Sequence, residues 1–132
     1  MQKFFSFIKN FFQKRNISLV IVGAQYPSYA LCEKIKAQSK KYCVRFFIDE
    51  EPWNHRTVLC DAQLRYPAEL LALVNRFEVK AVLCTTEEDF EKTQREFGER
   101  LCRVGCGVLL VDGFESWQGV EEQIVGLGVS LL

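Results

Sequence analysis

LVIVGAQYPSYALCEKIKAQSKKYCVRFFID, residues 19–49, is the stretch whose reading decides the fold. The apolar run from Ile17 to Val22 has no polar alternation beyond Ser18, which marks a strand buried on both faces. Gly23 ends it, and Pro27 fits the first turn of a following helix. That helix turns Leu31, Cys32 and Ile35 inward and Lys34, Lys36, Lys40 and Lys41 toward water. A second apolar run, Tyr42 to Ile48, closes on Asp49-Glu50-Glu51-Pro52. Strand, glycine turn, helix, strand and acid in this order form the β-α-β unit that opens a nucleotide-binding sheet.

Downstream, the pattern repeats. A polar loop carries Trp53 and His55, and a short strand is expected over Thr57–Cys60. A helix starts near Pro67 with Leu70, Leu73, Val74 and Phe77 on one face. Lys80 to Cys84 reads as a strand, and Thr86 caps a helix that starts with Glu87, Glu88 and Asp89 and buries Phe90, Phe97, Leu101 and Val104. Gly105 or Gly107 stops it before a last strand, Val108 to Val111. The tail beyond Phe114 holds Trp117 and a segment that fits one more helix, with Gly126, Gly128 and the Leu131-Leu132 end undecided. Alternating strands and helices predict an α/β, Rossmann-like three-layer α/β/α fold. Its sheet should be mainly parallel, five-stranded and ordered 3-2-1-4-5. Residues 17–132 are read as one such domain, preceded by an amphipathic helix over residues 1–16.

That N-terminal segment places Phe4, Phe5, Phe7, Ile8, Phe11 and Phe12 on one helical face, with Lys3, Lys9, Lys14 and Arg15 mostly off it. Six large apolar groups, worth about 1.5–3 kcal/mol of burial each, must be covered. The covering is the chain's own domain, a membrane surface, or another protein chain, including a second copy.

Composition narrows the function. The 132 residues suffice for one core, and 48% hydrophobic with 26% charged residues is globular. Net charge is zero, yet the first 15 residues hold four cations and no acid, leaving 13 basic against 17 acidic residues in the remainder. No nucleic-acid partner is expected, since a general binder needs a basic face over the body of the domain. The six cysteines read as reduced core residues of a cytoplasmic protein, peripheral at the inner membrane face if the Phe-rich helix docks there. Cys102 and Cys106, read as helical neighbours, make a poor zinc site without a second pair, so no metal is expected. No apolar run approaches the roughly 20 residues that span a bilayer.

Ligands of such sheets bind beyond the carboxyl ends of the strands, where strand order reverses. Gly23, Ala24, Gln25 and Ser28 from the turn, Asp49 and Glu50 from the second strand, and Thr85 and Thr86 from the fourth are therefore the candidate binding residues. Asp49 follows the first glycine by about 26 residues, where a ribose hydroxyl partner is expected. The turn departs from the dinucleotide pattern: its second and third glycines are replaced by Gln25 and Ser28. A Cβ at the second position collides with a pyrophosphate, whereas a serine nearly suits the tight helix–strand contact at the third. Free N–H groups at the helix start still attract an anion. His55, the sole histidine, is expected to be an exposed loop residue, and no cysteine has a histidine partner at an evident spacing.

LVIVGA (19–24), FFIDEEP (46–52), TVLC (57–60), PAELLALVNRF (67–77) and VKAVLCTT (79–86) resemble the CoA-binding-like Rossmann domain of membrane-linked nucleotide-sugar epimerases and dehydratases of polysaccharide biosynthesis. The resemblance covers about residues 17–115. In that family the domain follows transmembrane helices and precedes a catalytic half with its own glycine turn and a Tyr-x-x-x-Lys pair. Tyr26, Tyr29, Tyr42 and Tyr66 have no lysine four residues on. The resemblance thus implies the accessory domain alone: a non-enzymatic module for NAD, a nucleotide-sugar or a CoA-type ligand, with the Phe-rich helix in the position of the family's membrane region. The alternative is a membrane-surface or protein-interaction adaptor with a vestigial nucleotide site. A small NAD-dependent enzyme would lack both the glycines and a placed acid–base pair.

Overall fold

A computed structural model describes residues 17–51, 55–112 and 115–130. The expected Phe4–Phe12 face and Trp53 lie outside the described residues. Strand β1 (Ile17–Val22) leads through the Gly23 turn into α1 (Tyr26–Gln38) and β2 (Tyr42–Ile48). A hairpin of β3 (Val58–Leu59) and β4 (Ala62–Arg65) follows, then a 3-10 turn (Pro67–Glu69) running into α2 (Leu70–Phe77). The chain continues as β5 (Ala81–Cys84), α3 (Glu87–Arg103), β6 (Gly107–Leu110) and α4 (Trp117–Ser130).

The sheet order is β3-β4-β2-β1-β5-β6, parallel throughout except for the β3–β4 pair. β1 lies between β2 and β5, as its continuous apolar run requires, with Leu19, Val20 and Ile21 fully buried. Leu19 and Ile21 face one way, with Leu31, Ile35, Phe47, Val120 and Ile124, beneath α1 and α4. Val20 faces the other, with Phe46, Leu70, Val74, Val82 and Leu101, beneath α2 and α3. Period-two alternation in the strands and apolar stripes on the helices thus produce the three layers.

Several expectations need correcting. Six strands stand where five were expected, because the stretch read as one strand at 57–60 is the first arm of a hairpin. The strand that pairs with β2 is Ala62–Arg65, four residues without a β-branched side chain. Cys60 and Asp61 make the hairpin turn with φ of 52° and 64°, two left-handed residues and no glycine. Without that added antiparallel edge the order is the expected 3-2-1-4-5. Val104 is exposed rather than buried, because α3 ends at Arg103 and the chain turns away through Gly105 at φ +78°. Cys106 is therefore a buried residue outside the helix, and only Cys102 is on it. The tail is helical despite its glycines, since Trp117, Val120 and Ile124 lie on one buried stripe. Among the described residues no helix is long and apolar enough to cross a membrane.

Candidate functional site

Gly23 leaves β1 with φ +94°, a left-handed conformation that favours glycine, and its N–H donates to the Ile48 carbonyl at 2.7 Å. That bond draws the turn against the end of β2, where Asp49 and Glu50 emerge. A cleft of about 240 Å³ opens there, lined by Gly23, Ala24, Gln25, Asp49, Glu50 and, from the start of α3, Asp89. Five of the eight candidate binding residues therefore meet in one place.

The other three lie elsewhere. Ser28 is buried beneath the turn; its hydroxyl donates to the Val22 carbonyl at 3.2 Å and sits 3.1 Å from the Thr85 hydroxyl. That contact ties the start of α1 to the end of β5. Thr86 caps α3, its Oγ1 accepting from the Asp89 N–H at 3.1 Å. The three hydroxyls hold the frame of the site and do not line the cleft.

The cleft is anionic. Glu51, Glu88 and Glu96 add to Asp49, Glu50 and Asp89, and Lys92 is the one cation among the described lining residues. Lys92 is already ion-paired with Glu50, which raises its ammonium above the ordinary lysine range. Most pointed is Asp89. A Cβ built on Gly23 would stand 3.2 Å from its Oδ2 and 3.3 Å from Ser28 Oγ. A carboxylate thus hangs over the turn at the place where a pyrophosphate rests in dinucleotide-binding sheets of this topology. The helix start supplies N–H donors, but the Asp89 carboxylate lies beside the turn that leads to them, and Gln25, the residue before the helix, also lines the cleft.

His55 is not the exposed loop residue expected. Its ring stacks on Tyr66 at 3.9 Å with 4° between planes, and its Nε2 lies 3.0 Å from Glu69 Oε2. Arg65 donates to both Glu69 oxygens, at 3.1 and 3.0 Å, and the Tyr66 N–H donates at 2.9 Å. The Arg65 guanidinium beside Glu69 holds its carboxyl well below the usual range, at about 2. This cluster pins the loop after β2 to the 3-10 turn and does not line the cleft. Arg65 and Glu69, at i and i+4, were the legible signal; the return of His55 was not. Burial pushes the Cys84 and Cys106 thiols up to about 12 and Cys32 higher still, which makes them inert. Trp117 packs edge-on against Tyr42 in the core, with ring centroids 5.4 Å apart. No group of residues suited to hold a metal ion occurs among the described residues.

No family model matches the chain, and no curated protein matches it in sequence. Solved structures do match its fold. UDP-D-quinovosamine 4-dehydrogenase from Vibrio fischeri superposes with a TM-score of 0.59 at 18% identity, over 86% of this chain and 89% of that one. RSP, a Rex-family repressor, gives 0.60 at 11%, over 97% of this chain and 68% of that one. The same repressor, solved with NADH, gives 0.58 at 15%, over 81% and 54%. The chain has a Rossmann-like fold. Its switch-point cleft lies at the carboxyl ends of β1 and β2, where ligands of open α/β sheets are bound.

Proposed function

We propose that the chain is a non-enzymatic Rossmann-like module that binds a nucleotide, nucleotide-sugar or CoA-type ligand, in a regulatory or accessory role beside polysaccharide assembly. The observation that carries this reading is the meeting of the Gly23 turn and Asp49 at the ends of adjacent central strands. Asp49 accepts the ribose hydroxyls, the nucleoside lies against Gly23 and Ala24, and the phosphates point away from Asp89. The nucleotide-sugar and CoA choices follow from the sequence resemblance. The repressor solved with NADH, and with NAD+ and operator DNA, is a regulatory protein of like fold.

Thermal shift with NADH, a UDP-sugar, CoA and adenosine at millimolar concentration tests the reading, since a ligand at a hundred times its Kd adds about 2.7 kcal/mol of stability. Adenosine and the UDP-sugar should shift the transition, and NADH should act no better than adenosine. No shift from any of the four ends the ligand reading. The second reading, an adaptor with a vestigial site that works at a membrane surface or on a protein partner, is favoured by the carboxylates of Glu50, Glu88 and Asp89 in the cleft.

A further inference from the structure

The sheet has a notch. β4 meets β2 only from Phe46 on, where Phe46 pairs with Gln63 and Ile48 with Arg65. Tyr42, Cys43 and Val44 pair with β1 on one side and, among the described residues, with no strand on the other. Arg45, next along, is the extra residue of a bulge, since Leu19 pairs with Val44 and Val20 with Phe46. This free stretch of four residues spans about 13 Å, and an edge of that kind presents unpaired main-chain groups to any further strand. A groove of about 740 Å³ runs beside it, bounded by the Cys60-Asp61 turn that starts β4, by Ile35, Lys36 and Lys40 at the end of α1, and by Phe77 at the end of α2.

The bulge turns Arg45 and Phe46 toward the same face, where both meet Phe77: the two phenyl centroids are 5.1 Å apart, and the guanidinium carbon lies 5.7 Å from the Phe77 ring. Arg45 Nε donates to Ser18 Oγ at 3.1 Å. The guanidinium is thus half-buried and fixed, yet neither Arg45 nor Lys40 has a carboxylate partner among the described residues. Lys36 is paired with Asp61, the one acid of the described lining, which leaves three cations against one acid. Glu33 beside Cys60, Glu78 after Phe77 and Glu121 near Tyr42 stand outside the lining. Exposed lysines on an edge ordinarily guard it against unwanted pairing. That use explains Lys36 and Lys40, but not a guanidinium drawn back onto Phe77 and Ser18. We propose that the notch takes an extended acidic segment of a partner protein as an added strand beside Tyr42–Arg45. Main-chain hydrogen bonds give such additions their affinity, and side-chain contacts give specificity. Successive side chains of a strand point to opposite faces, so one carboxylate of the segment reaches Arg45 on the α2 face and its neighbour reaches Lys40 beside α1. The inference develops the protein-partner form of the adaptor reading, and its failure leaves the ligand reading of the cleft untouched.

Amide NMR titration of the full chain tests it, with the blocked hexapeptide Thr-Val-Glu-Glu-Val-Thr as the probe at millimolar concentration. The peptide should shift the amides of Tyr42–Arg45, and added salt should weaken its binding. The same peptide with both glutamates changed to lysine should leave them still, and so should the acidic peptide with N-methyl groups on alternate backbone nitrogens along the pairing edge, which removes its main-chain donors. Arg45→Gln should weaken binding about tenfold. Lys40→Glu, at an exposed position where folding is not at stake, should weaken it comparably. Equal binding of the acidic and lysine peptides overturns the charge matching, and equal binding of the methylated peptide overturns the added strand. No shift at Tyr42–Arg45 with any peptide overturns the notch as a docking site. Shifts of the same amides on raising protein concentration alone, with dimers in sedimentation, make the occupant a second copy and reject the proposal.

Discussion

Asp89 is the residue on which the reading of the cleft turns, and replacing it tests the electrostatics directly. Its Oδ2 lies 3.2 Å from where a Gly23 Cβ would be, so a phosphate resting on that turn would have a carboxylate within about 5 Å. At an effective dielectric of about 20, two unit charges at about 5 Å repel by about 3 kcal/mol. The cleft is open to solvent, and salt screening leaves roughly half of that, or about tenfold in affinity. Asp89→Asn removes the charge and keeps the shape and the N–H bonded to Thr86; the weaker helix-dipole interaction lowers stability by at most about 1 kcal/mol. Gln25→Gly removes the second side chain expected to crowd a pyrophosphate, that of an exposed residue lining the cleft. We expect Asp89→Asn to tighten NADH binding about tenfold, and the double variant to tighten it further, read by titration calorimetry at fixed ionic strength. Adenosine, with no phosphate, should gain nothing from Asp89→Asn. Equal gains for NADH and adenosine, or none for NADH in a folded double variant, would refute the claim that Asp89 and Gln25 keep phosphate off the turn.

Gly23→Ala must hold a left-handed φ and push against Asp89 and Ser28, so urea denaturation should register a loss of about 2 kcal/mol; a change under about 0.5 would mean that the turn relaxes freely. Glu69 should shape the acid limb of the stability curve. Its folded pKa, about 2, lies below the ordinary 4.5, so its contribution is complete above 4.5 and is lost as pH falls from there toward 2. Glu69→Gln should therefore lower stability at neutral pH by about 2 kcal/mol and flatten that limb, while an unchanged limb would show that Arg65 finds another partner. Cys60→Asn/Asp61→Gly supplies the residues that a two-residue turn with both φ positive prefers. It should raise the melting temperature by several degrees, about 1 kcal/mol, and a lower melting temperature would contradict the turn assignment.

What the sequence made legible is what local periodicity encodes. β1 is readable as central because Leu19, Val20 and Ile21 leave no polar side to turn outward, and the Gly23 turn follows from the only residue type that takes its φ without strain. β4 hides because Ala-Gln-Leu-Arg has little strand propensity, and because Cys60-Asp61 makes the turn without the Asn or Gly that announces one. α4 is obscured by Gly119, Gly126 and Gly128, whose helix propensity is poor; burial of Trp117, Val120 and Ile124 at helical spacing overrides it. Asp89 is instructive in a different way. In the sequence it is one of three acids favouring the start of α3, a role it does fill. Its second role appears only when β5 pairs with β1 and brings the start of α3 over the Gly23 turn, a contact between residues 66 apart. A side chain at position 25 would crowd a pyrophosphate sterically and the Asp89 carboxylate would repel it, from different elements and by unrelated physics. Each alone would disfavour a pyrophosphate, so restoring the second glycine without removing the carboxylate should recover only part of the affinity.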